Sequence, residues 1–126
     1  MESAPYTGTL LAESLRTGAV FDGLPLTVIR IFRFAAGDTS AGQPELWTFI
    51  EFEVPAAEAQ ELAQALAQVL DDVGGWYCSF SSPDETFVVF ANRVFRYQGR
   101  DPAERRRVEA YARSVGVPEA QIDWPD

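Results

Sequence analysis

The chain has 126 residues, 47% of them hydrophobic and 13% aromatic, and a formal net charge of −9. Histidine and lysine are absent and cysteine occurs once, as Cys78. Those absences remove Ser-His and Cys-His nucleophile pairs, imidazole and thiolate metal sites, Schiff-base chemistry and an intramolecular disulfide.

A chain of this size and apolar content is expected to form one α+β domain over residues 1–126. The acidic balance argues against nucleic-acid and anionic-membrane partners, which need a basic surface. No leader pattern and no bilayer-length apolar run is visible, so a cytoplasmic protein is expected. Charge is uneven: seven of the ten arginines fall between Arg93 and Arg113. That segment reads either as an anion-binding patch or as a solvent face drawn to the acidic remainder, and the second reading is preferred.

Residues 6–16 read as a first strand, ended by Thr17-Gly18. Residues 26–34 form a second, with Leu26, Val28, Arg30, Phe32 and Phe34 on one face and Thr27, Ile29, Ile31 and Arg33 on the other. Both faces are largely apolar, which predicts a central strand or one covered on two sides. Arg30 sits among apolar neighbours and calls for an ion pair or a ligand-clamping role. The turn-rich segment 35–45 is expected to be a long, mobile loop.

Residues 46–54 alternate cleanly, with Trp47, Phe49, Glu51 and Glu53 on one face, and should pair antiparallel with the second strand. Arg33 is then the expected partner of those glutamates. A helix over residues 55–73, opened by Pro55, buries Leu62, Ala65, Leu66, Val69 and Val73 and leaves Gln60, Gln64, Ala67 and Gln68 outside. Strands follow over residues 76–81, 86–91 and 94–97, with Asn92 suited to the tight turn between the last two. Cys78 reads as buried filler. In a second helix Asp101 caps, Pro102 takes the first position and Glu104 completes a capping box. Glu109 and Arg113 are spaced as an i, i+4 pair.

The expected order is β-β-β-α-β-β-β-α, a mainly antiparallel sheet of about six strands with both helices on one face. No catalytic residue, metal site or cofactor is expected. The candidate binding residues are Arg30, Trp47, Glu51, Glu53, Tyr77 and Trp124: an ion pair, an aromatic platform with two carboxylates, an exposed tyrosine, and a terminal tryptophan that either pins the tail or anchors a partner.

The segments Trp47–Glu53, Gly75–Phe80, Phe87–Tyr97 and Gly116–Trp124 resemble a family of small uncharacterised bacterial proteins with no established function, in which an aspartate often stands where this chain has Ser79. The resemblance implies a bacterial, cytoplasmic protein and assigns no site residue. The leading expectation is a non-enzymatic protein-binding or homodimeric domain, immunity- or inhibitor-like in one version. The alternative is a small-ligand binder or hydrolase using the paired carboxylates.

Overall fold

The computed structural model describes residues 4–24, 26–37, 39–40 and 42–125. Six strands and two helices follow in the expected β-β-β-α-β-β-β-α order: β1 Tyr6–Leu11, β2 Thr27–Ala35, β3 Leu46–Val54, α1 Ala59–Val69, β4 Cys78–Ser81, β5 Glu85–Phe90, β6 Arg93–Gln98 and α2 Pro102–Ser114. The fold is α+β. All strand pairings are antiparallel, and the strands lie in the order β2-β3-β1-β4-β5-β6. No helix among the described residues is long and apolar enough to cross a membrane.

The first strand stops at Leu11 rather than residue 16, because a single 3-10 turn at Ala12–Ser14 diverts the chain. Ser14 Oγ donates to Leu11 O at 2.6 Å, and Glu13 takes over where β1 ends, accepting from Thr48 N at 2.6 Å and Thr48 Oγ1 at 2.8 Å. A carboxylate thus replaces the next strand residue as partner of β3. Pro55 opens a 3-10 turn, not the α-helix itself, and α1 ends at Val69 where Leu70 turns extended to bridge Leu15. That early exit leaves Val73 exposed, against the expected stripe, while Ala67 is buried, its carbonyl accepting from Asn92 N at 2.8 Å.

Asn92 does adopt the positive φ, 61°, that the β5–β6 turn requires. Asp101 Oδ1 accepts from Glu104 N at 3.2 Å as N-cap of α2. The expected Glu109–Arg113 pair is replaced. Arg105 Nε lies 3.0 Å from Glu109, and Arg113 reaches beyond the helix end to Glu119 at 2.8 Å.

The two helices cover opposite faces of the sheet, not one. α1 presses Leu62, Ala63 and Leu66 onto Tyr6, Leu10, Phe52, Phe80, Phe87 and Val89. α2 places Val108 and Ala112 against Val88, Phe90, Phe95 and Tyr97, with Val117 and Trp124 of the tail closing that core. β5 alternates Phe87 and Val89 to one layer with Val88 and Phe90 to the other, so it is buried on both sides. On the α1 face Gly8 stands between its pairing partners Phe52 and Phe80, whose rings meet edge to face at 5.8 Å. A Cβ at Gly8 would run into the Ser79 carbonyl oxygen and Phe80 Cβ.

β2 is the largest correction. It is an edge strand, and it overhangs both helix layers, so neither face is covered: Val28, Ile29, Ile31 and Phe34 are 48%, 59%, 61% and 64% exposed. The loop after it is tied down rather than free. Ser40 Oγ donates to Gly74 O at 2.9 Å, and Gln43, itself buried, receives a bond from Gln121 Nε2 at 2.8 Å. Residues 38 and 41 of that loop lie outside the described residues.

Candidate functional site

Residues paired across neighbouring strands share a face. Arg30, Glu51, Thr9, Ser79, Val88 and Phe95 therefore form one row across all six strands. Glu53, Thr7, Ser81, Thr86 and Tyr97 form the next. The right-hand end of both rows lies under α2 and the tail. The middle is an open trough floored by hydroxyls, and the left is a charged and aromatic shelf.

The shelf holds the first candidates. β2 and β3 pair so that Arg30 lies opposite Glu51 and Arg33 opposite Thr48. Arg30 Nε sits 2.5 Å from Glu51 Oε1, with its guanidinium 4.5 Å from the centroid of Phe32, and Phe32 stacks on Phe49 at 4.9 Å. Arg33 donates to Thr48 Oγ1 at 3.1 Å and does not serve the glutamates. Arg30 has the ion pair it called for, but in the open, with 65% of its side chain exposed. Glu53 is separated from this group, facing a different hollow with Tyr6, Glu85 and Arg96. The paired-carboxylate arrangement is therefore not assembled: one carboxylate is engaged by an arginine and the other looks elsewhere.

The other candidates converge. Trp47, Tyr77 and Trp124 line one hollow of about 270 Å³ together with Phe49, Trp76 and Asp123. Trp47 is turned inward, its Nε1 donating to Pro44 O at 2.8 Å and its ring 5.5 Å from that of Trp76. Trp124 pins the tail: it is 2% exposed and donates from Nε1 to Tyr97 Oη at 2.8 Å. Tyr77 is not the free contact its position suggested. Its hydroxyl donates to Gln121 O at 2.5 Å and lies 3.2 Å from Asp123 Oδ1. Burial first, and then the Asp123 charge, raise its pKa well above the ordinary tyrosine value, so it stays protonated.

A second hollow of about 290 Å³ continues from the first, sharing Thr9, Ser79 and Pro125 with it. Its lining is hydroxylic, from Thr7, Thr9, Ser79, Ser81 and Thr86, with Glu51 at one side. Thr86 Oγ1 is buried with no hydrogen-bond partner in the protein, an unmet demand on a residue only 1% exposed. Sequence reasoning missed these hydroxyls. The alternation Thr7-Gly8-Thr9 and Ser79-Phe80-Ser81 was the available signal, but only the pairing of β1 with β4 makes it one surface.

Cys78 faces α1, beneath this surface, where burial pushes its thiol up to about 12. Comparison with protein-family models, curated proteins and solved structures finds no match.

Proposed function

We propose that the chain is a non-enzymatic association domain that joins a second copy of itself by pairing β2 edge to edge. The observation that carries this is the contrast between the two edges of the sheet. β6 turns Arg93, Arg96 and Gln98 outward and buries Phe95 and Tyr97, as a protected edge should. β2 instead leaves Val28, Ile29, Ile31 and Phe34 in the open, apolar side chains on both faces of an unprotected edge, the kind of exposure that marks an interaction surface.

Backbone geometry supports one alignment. Ala36 N donates to Glu45 O at 2.7 Å, in the register that pairs Ala35 with Leu46. Along regular β2 the even residues therefore bond to β3, while Ile31, Arg33 and Ala35 turn their N–H and C=O groups to the free edge. A two-fold axis through Phe32 pairs Ile31 with Arg33 of the second copy, stacks the two Phe32 rings and sets Arg30 against the opposing Phe34. Shifting the axis to Arg33 would face like charges directly, which is unfavourable. The bulge between Val28 and Arg30 interrupts alignments displaced the other way. The arginines and the bulge thus act as selectors of register. A second copy satisfies this pattern on both sides at once, as an isologous contact must.

Cross-linking tests the alignment. Phe32→Cys would lie opposite itself at a non-hydrogen-bonded pair, about 4.5 Å between Cα atoms, and the only native thiol is the buried Cys78. Mild oxidation should convert the Phe32→Cys variant to a covalent dimer and leave an Arg30→Cys variant largely without the covalent link. Equal cross-linking of both variants, or of neither, contradicts the alignment.

A further inference from the structure

We infer that the aromatic hollow beside the hydroxyl trough binds a small organic cation, a quaternary or alkyl ammonium whose polar tail lies over Thr9 and Ser79. This site is separate from the β2 edge and stands without the dimer. Three observations carry it.

The first is the wall. Trp47, Phe49, Trp76, Tyr77 and Trp124 surround the hollow, with rings inclined to one another instead of stacked: 49° between Trp47 and Phe49, 55° between Trp47 and Trp76, and 72° between Tyr77 and Trp124. The rings pack against one another at these angles and line the hollow as a shallow aromatic box, and aromatic faces are the setting in which ammonium groups exchange water for ring quadrupoles. The polar edges of this box are already engaged. The Trp47 and Trp124 indole N–H groups donate to Pro44 O and Tyr97 Oη, and Tyr77 donates to Gln121 O. These three residues offer carbon surface, not donors, which suits a cation and not an anion.

The second is charge. Among the described residues lining the two joined hollows there are two carboxylates, Asp123 and Glu51, and no arginine. Arg30 is held by Glu51 on the shelf, and Arg105 lies over Trp124 at 5.0 Å without being part of the lining. Asp123 is exposed at the rim beside the Tyr77 hydroxyl. The −9 balance of the chain adds a favourable long-range field for a cation.

The third is the floor alongside. Thr9 and Ser79 line both hollows, and Thr86, whose buried Oγ1 has no partner in the protein, lines the second. Hydroxyl or ether oxygen on the ligand tail would find partners there, whereas a purely apolar occupant would leave them unmet.

All three tryptophans of the chain line this hollow, so intrinsic fluorescence reports on it directly. The 126-residue protein is titrated with choline and, separately, with the neutral isostere in which carbon replaces the quaternary nitrogen. Saturation-transfer NMR on the same samples detects binding that leaves emission unchanged. The expected result is saturable choline binding at least about tenfold tighter than the isostere, weakened severalfold by Asp123→Asn, a substitution at an exposed position that leaves the box intact. Equal affinity for the two probes would make the hollow a plain apolar pocket and overturn the inference. Saturation by glycerol in place of choline, or no binding of choline by either method, would overturn it as well.

Discussion

Replacing Trp124 by alanine removes a tail residue that closes the core between α2 and the sheet. The side chain is 2% exposed, donates to Tyr97 Oη at 2.8 Å, meets Tyr77 edge to face at 5.3 Å and lies under Arg105. Truncating a buried tryptophan to alanine costs about 3–5 kcal/mol through lost transfer energy and the cavity left behind. For a chain of this length each kcal/mol moves the melting temperature by about 3–5 °C, so Tm should fall by about 10–20 °C. Trp124→Phe keeps one buried aromatic ring but loses the five-membered ring with its N–H, and should cost less, about 1–3 kcal/mol. Thermal melts followed by far-ultraviolet circular dichroism, at one fixed protein concentration so that association does not shift the midpoint, separate the variants. A Trp124→Ala protein melting within about 2 °C of wild type would show that the tail does not close the second core.

Three further outcomes follow from single contacts. Gly8→Ala should destabilise the fold by about 2 kcal/mol or more in chemical denaturation, since the new methyl meets the Ser79 carbonyl and Phe80 with no open space to take it. Cys78, buried and with its thiol pushed up to about 12, should not react with a disulfide reagent at pH 8 until the protein unfolds, so the reaction should track global unfolding. Glu85 should contribute an acid limb to stability. Burial alone would raise its pKa, but Arg96 at 2.8 Å and the Tyr6 hydroxyl at 2.5 Å outweigh it and leave the net value lowered. Its contribution is therefore complete above the ordinary carboxylate value of about 4.3 and lost as pH falls through the lower folded value, and Glu85→Gln should flatten the melting-temperature profile there.

Local signals were legible in the sequence. Asp101-Pro102 with Glu104 marks the start of α2, Asn92 marks a tight turn, and the alternation of residues 46–54 marks β3, because each depends on chemistry within a few residues. Sheet order was not legible, because β1 inserts between β3 and β4 through pairings some 40 to 75 residues apart. That order decides the fate of β2. A strand apolar on both faces reads the same whether two layers bury it or none does, and only the position of β1 pushes β2 to the edge. The run Phe87-Val88-Val89-Phe90 carried the same two-faced signal, and there it did mean burial from both sides, which separates the helices. The Arg30–Glu51 pair required the register as well as the pairing: one residue of slip would have given Glu51 another neighbour. In the site, the convergence of Trp47, Tyr77 and Trp124 depends on Gln121 and Tyr77 binding the tail across the sheet, a contact with no sequence signature.

The measurement that bears most directly on self-association is the solution mass of wild type and Ile31→Arg by sedimentation equilibrium across the micromolar range. Ile31 is 61% exposed, so the substitution leaves the monomer intact, yet in the Phe32-centred alignment it sets arginine against Arg33 of the second copy at two symmetric positions. Self-association through β2 predicts twice the 14.0 kDa chain mass for wild type and 14.0 kDa for Ile31→Arg. Wild type at 14.0 kDa throughout, or an Ile31→Arg protein as dimeric as wild type, would contradict it.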